Sequence, residues 1–209
     1  LKLYAEALTE IGTHKEDFVA LTQRIGTNTG GIDASVVTSK KVDSDDSVAY
    51  LFLRSKAMFE QVPELAAILK DILHEIQWDN KERIKQMVLE SKAGMETSLG
   101  LSGHVNANWR LRSHFDDAGW IDEQLNGVSQ LQFVRDLAKR IDDDWASILQ
   151  DLQDLHKHLV QKQGMLVNAT LNDDAWQDVH ASLKGLIDSV QGGKGFANDW
   201  QRPALPDAE

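Results

Sequence analysis

The sequence contains no cysteine among its 209 residues. This absence excludes thiolate zinc sites, iron–sulfur clusters, a cysteine nucleophile and any disulfide framework. No run of about 18 apolar residues occurs, and the first residues are not a basic region followed by an apolar one. The sequence therefore predicts neither a membrane span nor a signal peptide. We expect a protein of the cytoplasm or of an organelle interior, with no membrane partner.

Basic side chains are scarce relative to acidic ones, with 22 lysines and arginines against 33 aspartates and glutamates. The net charge of −11 repels nucleic acid and anionic lipid, so we expect no nucleic-acid partner. At 209 residues the chain is long enough to bury a core without a metal or a disulfide. It opens within a helical pattern and without methionine, which favours the interpretation that it is a piece of a longer protein.

Three stretches show the period of two that is typical of β-strands. Apolar and polar side chains alternate over residues 32–38. An acidic turn at residues 43–46 leads to a second stretch, residues 48–53, which is apolar on both faces and is therefore predicted to be a central strand. The third predicted strand is "MLVNATL", residues 165–171, with one apolar face.

Most other stretches carry apolar residues at helical spacing. Thr13 and Asp79 are predicted N-caps, and Gly26 is predicted to end the helix that Thr13 begins. We expect further helices over residues 1–11, 133–141, 145–159 and 176–190. Pro63 suits a helix start, and the apolar stripe that follows predicts one buried face, made of Leu65, Ile68, Leu69, Ile72, Leu73 and Ile76.

These patterns predict an α+β fold for residues 1–191, with a mainly antiparallel sheet covered on one face by several helices. Three strands are few for so many helices, so we expect at least one further strand outside the chain. Residues 192–209 lose all periodicity and gather glycine and proline, which predicts a linker or loop toward a next domain.

The segment "HEIQW", residues 74–78, is the zinc-peptidase pattern His-Glu-x-x-His with a tryptophan in place of the second histidine. Two imidazoles can bind one metal when they lie one helical turn apart, but the indole nitrogen of Trp78 has no lone pair to donate. The apolar stripe also places His74 on the opposite face of the helix, with Lys70 and Asp71. We therefore predict a surface histidine, and a self-contained metal enzyme at His74 is the least favoured alternative.

The remaining histidines and acidic residues give no stronger site. His156 is predicted to lie at the edge of the core with its polar atoms paired, and His158 to be the i+4 partner of Asp154. The Glu and Asp that follow His14 favour the first turn of a helix. Helix capping or a solvated position is expected for the acidic runs Asp116-Asp117 and Asp142-Asp143-Asp144.

Two glycine-containing motifs fall short of known sites. "GLSGH", residues 100–104, resembles a serine-hydrolase nucleophile elbow, but His104 replaces the final glycine and the context is helical. "GTNTGGID" and "GGKGF" lack the Gly-Lys-Ser/Thr of a phosphate loop and the strand-glycine-helix order of a dinucleotide site. Gly30 and Gly31 are expected to turn the chain into a strand. We assign no catalytic, cofactor-binding or metal-binding residue.

Five blocks of sequence together resemble the presequence-protease branch of the pitrilysin and insulysin zinc peptidases. They occur in the same order as in that family and span about residues 1–190. The resemblance is to the peptidase-associated region, in the first domain of the family's C-terminal half. The blocks are "LTQRIGTNTGGIDASVVTSK", "LRSKAM", "SKAGMETSLGLSGHVNANWRL", "AGWIDEQLNGVSQLQFVRDL" and "GMLVNATL".

The resemblance implies an architecture and a mechanism for a parent protein. Members of that family have two bowl-shaped halves, each with two α+β domains, that close over a chamber in which an unfolded peptide is cut. Zinc is held in the N-terminal half by the inverted motif His-x-x-Glu-His and a distant glutamate. This chain contains no such motif, and its opening helix "LKLYAEALTEIG", which corresponds to the zinc-binding helix, has no histidine. The resemblance therefore implies a non-catalytic copy of the catalytic domain.

The implied function is that of a chamber-forming segment in a zinc metalloendopeptidase that degrades unfolded peptides such as targeting peptides. The implied partners are the catalytic N-terminal half of the same protein and the peptide substrate. Zn²⁺ would be bound by another domain, and we expect no cofactor in this segment. The residues alone leave open a stand-alone helical binding or scaffold module without enzymatic activity.

Overall fold

A computed structural model describes residues 1–194 and confirms the α+β fold. The predicted boundary at residue 191 stays a prediction, and most of the predicted linker, residues 195–209, lies outside the described residues. In chain order the elements are α1 (Lys2–Glu10), α2 (Phe18–Asn28), β1 (Ile32–Lys40), β2 (Ser47–Ser55), a 3-10 turn (Phe59–Gln61), α3 (Val62–His74), α4 (Lys81–Leu101), α5 (Gly103–Arg112), α6 (Asp117–Asn126), α7 (Val128–Asp143), α8 (Trp145–Leu159) and α9 (Asp173–Ser189).

The two strands form an antiparallel hairpin in which Ile32 lies opposite Ser55 and Lys40 opposite Ser47. Because side chains alternate along a strand, Ile32 and Leu51 face the helices on one side. Tyr50 and Phe52 point to the other side, where they are 50% and 36% exposed. Within the described part of the chain β2 pairs with β1 alone. The prediction that β2 is a central strand is therefore wrong.

The predicted third strand, residues 165–171, is also wrong. The segment is not assigned to a strand, and Leu166 and Val167 are 85% and 46% exposed. A strand requires a hydrogen-bonded neighbour, and the only sheet among residues 1–194 consists of β1 and β2. An alternating pattern in one segment does not show that a neighbouring strand is present to pair with it.

The main core lies where α1, α3, α4, α7 and α8 meet, with the inner face of β1 packed against it. The predicted stripe of α3 is confirmed, since five of its six residues are buried and Leu73 is half-buried. A second, smaller cluster joins α3 to Leu186 of α9. Among the side chains that are fully buried in the core are Tyr4, Leu8, Ile11, Leu21, Ile68, Ile72, Val88, Val134 and Ile141.

The helix ends differ in detail from the predictions. Asp17, not Thr13, caps α2 by accepting a hydrogen bond from the Ala20 N–H, while Thr13 bridges to Ile76. α2 continues through Gly26 to Asn28. The prediction that Gly26 ends this helix is therefore wrong. Asn80, one residue after the predicted Asp79, caps α4 by accepting from the Arg83 N–H. Such offsets of one residue are common where adjacent residues can all cap a helix.

Gly12 ends α1 in a way that requires glycine. Its φ is +85°, and an added Cβ would lie 2.8 Å from the Phe18 nitrogen. Only glycine adopts this left-handed conformation without strain. The turn lets Gly12 O accept a hydrogen bond from Gln77 N–H and brings the segment after α1 alongside the end of α3.

Candidate functional site

His74 lies on the protein surface, as its position on α3 predicts. Its Nε2 atom is 3.1 Å from the Ser189 hydroxyl. Trp78, which occupies the position of the missing second histidine, is 5% exposed and stacks on Tyr4 with ring centroids 5.0 Å apart. Among residues 1–194, no three histidine or acidic side chains are grouped so that they could hold a metal ion.

One polar cluster joins α1, the end of α3 and α8 around His156. The Tyr4 hydroxyl is 2.8 Å from His156 Nδ1, and His156 Nε2 is 3.1 Å from the Leu73 carbonyl oxygen. Because that carbonyl can only accept, Nε2 carries the proton and Nδ1 accepts from Tyr4. The Trp78 ring lies 5.4 Å from the imidazole. The prediction that His156 is a paired residue at the core edge is confirmed.

Burial lowers the pKa of His156, and the hydrogen bond to Leu73 O only partly opposes this effect. The unfolded chain then binds more protons than the folded chain below about pH 6.5, the ordinary histidine pKa. Stability should therefore fall as the pH drops from 7 toward 5. Burial also lowers the pKa of His74 at the end of α3, so both histidines contribute with the same sign.

We expect His156→Gln to reduce this pH dependence, because glutamine can accept from Tyr4 and donate to Leu73 O but cannot be protonated. Urea unfolding at pH 5, 6 and 7 measures the effect, which for one proton cannot exceed about 1.4 kcal/mol per pH unit. The His74→Gln variant, measured in the same way, gives the separate contribution of His74 to the pH dependence. An unchanged slope in His156→Gln would contradict the assignment of a buried neutral imidazole.

A second polar cluster surrounds Arg24 on α2. Its guanidinium is 2.6 Å from Glu64, and 2.8 Å from both Glu16 and Asp71. Lys15 adds a further ion pair of 2.6 Å to Asp71. Burial alone would raise the pKa of Asp71, but the hydrogen bonds from Lys15 and Arg24 outweigh it, so the pKa is lowered.

Asp71 therefore lies in a buried ion network, although the sequence predicted that it faces solvent with His74. The residue is only 7% exposed. The partners that bury it come from α2 and the segment before α2, so spacing along α3 could not reveal them. This network ties α2 to α3.

The other candidates occupy structural or solvated positions. Asp116 caps α6 by accepting from the Gly119 N–H, as predicted for this acidic pair. Asp142 is exposed and pairs with Lys85 at 2.7 Å. His158 contacts Asp154 as predicted, through the backbone oxygen at 2.6 Å. "GLSGH" spans the break between α4 and α5, and so lies in the predicted helical context.

The glycine-rich segment before β1 also behaves as predicted. Gly30 N–H donates to Lys56 O at 2.8 Å, and Gly31 has a φ of +110°. These two glycines turn the chain from α2 into the hairpin. The last two residues of the "GGKGF" segment, 195 and 196, lie outside the described residues.

Two surfaces near the hairpin and α1 have side chains suited to contact other molecules. The outer face of the hairpin exposes Tyr50 and Phe52, whose rings form an edge-to-face pair with centroids 6.3 Å apart. A groove of about 320 Å³ lies between α1 and α4 and is lined by Glu6, Glu90 and Met95, among others. Burial raises the pKa of Glu6. The sequence signal for the first surface was the doubly apolar β2, which we interpreted as a central strand.

None of the helices among residues 1–194 is both long and apolar enough to cross a membrane. The chemistry that these surfaces offer is binding, through aromatic and acidic side chains. Among the described residues, the polar cluster around His156 and the ion network around Arg24 stabilise contacts between helices.

Comparison with known proteins gives a consistent assignment. The model of a family described as peptidase-associated matches residues 1–137. The peptidases in that description are subfamily C of their peptidase family. Presequence protease 1, chloroplastic/mitochondrial, from Arabidopsis thaliana is 34% identical over 186 residues, which cover 89% of this chain and 17% of that protein. The mitochondrial presequence protease of Danio rerio is 24% identical over 92% of this chain, and protein HypA of Clostridium perfringens is 24% identical over 88%.

The chain spans 19% of each of the last two proteins, so it matches less than a fifth of the length of all three relatives. The resemblance to presequence proteases that the five sequence blocks indicated is confirmed. The family match covers the two strands and α1 to α6, together with most of α7. This chain is similar to presequence proteases, and it belongs to that peptidase-associated family.

Proposed function

We propose that this chain is a non-catalytic, chamber-forming segment of a zinc metalloendopeptidase that degrades unfolded peptides such as targeting peptides. The observation that carries the proposal is the 34% identity to a chloroplastic/mitochondrial presequence protease along 89% of the chain. Because the match covers only 17% of that protein, the activity belongs to the longer polypeptide. This segment contributes a surface of the chamber and no catalytic residue.

The non-catalytic role is supported by the sequence of the chain. None of its 209 residues forms a His-x-x-Glu-His motif. α1 instead contributes Tyr4, Ala5, Ala7 and Leu8 to the core and carries no histidine. In the proposed parent, Zn²⁺ is bound by another domain and supplies the Lewis acid for hydrolysis. The partners of this segment are then the catalytic N-terminal half of the same polypeptide and the peptide substrate.

The wall-forming role is supported by the way the sheet is covered. Within residues 1–194, helices pack on one face of the hairpin, while Tyr50 and Phe52 lie on the other. An exposed aromatic pair is typical of a surface that contacts another chain. The net charge of −11 and the acidic groove between α1 and α4 favour basic peptides over acidic ones. We place the protein in the cytoplasm or an organelle interior.

The test compares the purified chain with the full polypeptide encoded in its reading frame. The chain alone, supplied with zinc, should not cleave a fluorogenic arginine-rich presequence peptide. The full polypeptide should cleave it, and a chelator or Glu→Gln in the upstream His-x-x-Glu-His should abolish cleavage. Zinc-dependent cleavage by the purified chain contradicts the non-catalytic role. A reading frame without the upstream motif would instead favour a stand-alone binding module.

A further inference from the structure

One segment of the surface differs in charge from the rest of the chain. Residues 97–115, here called the acid-free arm, contain no aspartate or glutamate, although the whole chain has 33. The arm comprises the last turns of α4, all of α5 and the turn that follows. It carries Arg110 and Arg112, together with His104 and His114. A protein of net charge −11 thus has a local basic surface here.

The acid-free arm also exposes large apolar side chains. Leu101 is 80% exposed, Phe115 79% and Leu111 65%. Exposed apolar surface that is contiguous and rimmed by polar residues marks a contact site, and these three residues belong to one short segment of the chain. Combined apolar area and arginine is the composition that protein interfaces favour. The arm therefore has the composition of an interface.

The geometry of α5 explains why the arm is uncovered. α5 contacts α4 and α6, yet none of its residues is buried. Its half-buried side chains, Val105, Asn106 and Trp109, define the side that faces the protein. By the helical period, Leu111 and His104 fall on the opposite side, and both are exposed. One side of the helix is packed and the other has no partner among residues 1–194.

Among residues 1–194, one of the two arginines of the arm has an acidic partner, and the other does not. The side chain of Arg110 is 61% exposed while its guanidinium lies 3.5 Å from the buried Glu123. Within the described residues, Arg112 makes no ion pair. A basic peptide would be repelled by these arginines, so the arm does not suit the substrate of the proposed peptidase. Its complement is an acidic surface with apolar side chains.

We propose that the acid-free arm docks onto an acidic, apolar surface in the remainder of the same longer polypeptide. The inference rests on the proposed function, which places this chain in such a polypeptide. More than four-fifths of the length of each matched relative lies outside the region that the chain covers. A surface in the same polypeptide is present at a high effective concentration, which favours it over a second copy of the chain. The arm thus fixes this segment against its neighbouring domains.

The test uses the full polypeptide with Phe115 replaced by the photoreactive residue p-benzoylphenylalanine. Phe115 is 79% exposed, so the replacement leaves the core intact. Irradiation should cross-link position 115, within one molecule, to a segment rich in aspartate and glutamate outside residues 1–209, as identified by mass spectrometry. Phe133 on α7, 53% exposed and outside the arm, is the matched control and should not give this cross-link.

Charge reversal gives a second readout. Arg112→Glu should lower the yield of the cross-link from position 115 at least ~10-fold, because two acidic surfaces then face each other. Lys139→Glu reverses a charge on the exposed face of α7, where Lys139 is 77% exposed, and should leave the yield unchanged. Raising the salt from about 0.05 to about 0.5 M should lower the yield in the parent protein.

Several outcomes overturn the inference. The inference is wrong if position 115 cross-links to a second copy, or only to residues within 1–209. It is also wrong if the cross-link forms only when an arginine-rich peptide is added, or if no cross-link forms. Failure here is distinguishable from failure of the proposed function. If the full polypeptide has the zinc motif and cleaves peptide but position 115 stays uncovered, only the docking inference fails. If it lacks the motif, the peptidase function fails, and the cross-link still reports what covers the arm.

Discussion

Replacing Trp78 with alanine should lower the free energy of unfolding by about 3 to 5 kcal/mol, as measured by urea unfolding. Trp78 is 5% exposed and packs against Tyr4 and His156, so its removal leaves a cavity between α1, α3 and α8. The stacking contact with Tyr4 is lost together with the buried apolar area. This is the largest effect that we expect from a single substitution in the chain.

Two variants make the Trp78 experiment specific. Trp176→Ala removes the same side chain from a position that is 47% exposed, and should cost less than about 1 kcal/mol. Trp78→Phe should be much milder than Trp78→Ala, because it keeps the stacking ring. It also removes an indole N–H that is buried without a hydrogen-bond partner among the described residues. Equal losses in Trp78→Ala and Trp176→Ala would contradict the packing described here.

Replacing Arg24 with methionine should lower the free energy of unfolding at neutral pH by about 2 to 3 kcal/mol. The substitution keeps the aliphatic part of the side chain but leaves Glu16, Glu64 and Asp71 without their shared cation. Breaking a fully buried ion pair costs more, about 3 to 5 kcal/mol. The smaller value applies because the Arg24 side chain is 25% exposed and Lys15 still pairs with Asp71.

The pH dependence of the Arg24 variant provides an internal check. The pKa of Asp71 is lowered in the folded protein, so its carboxylate stabilises the fold above its unfolded pKa of about 3.9. That stabilisation is lost as the pH falls through the folded pKa, where Asp71 takes up a proton. The difference between the parent and Arg24→Met should therefore shrink below about pH 4.

Lys139→Met is the matched control for Arg24→Met. It breaks an exposed pair between Lys139 and Asp136, whose side chains are 77% and 71% exposed, and should change stability by less than about 0.5 kcal/mol. A loss of the same size in both variants would show that the Arg24 network is no stronger than a surface pair. Chemical unfolding monitored by tryptophan fluorescence measures both.

Local periodicity predicted most of the helices, because most of them bury one face whatever their partner is. The stripe of α3 from Leu65 to Ile76 is the best example. Periodicity did not predict α6, and α5 buries none of its residues. The polar residues of the site were harder, since Asp71 is buried by Lys15 and Arg24, which lie 56 and 47 residues away in the sequence. Spacing within one helix carries no information about such distant partners.

The strands were predicted less well, because a strand depends on its neighbours. The hairpin was found from its alternation and its acidic turn, where Asp43 has a φ of 56°. Both faces of β2 are apolar in sequence. This pattern does not distinguish a strand that a further strand covers from a strand with one exposed apolar face. Residues 165–171 show the same limit, since their alternation is strand-like but no described strand lies beside them.

The supports of the hairpin lie far along the chain from the hairpin itself. Thr38 donates a hydrogen bond to Asp122, 84 residues later, and the Ala118 N–H donates to the Ser47 hydroxyl across 71 residues. A two-stranded ribbon is marginally stable by itself in water. During synthesis the hairpin therefore leaves the ribosome well before α6 exists to hold it. The two hydrogen bonds with α6 can form only after that helix has been synthesised, so the hairpin gains this part of its support late.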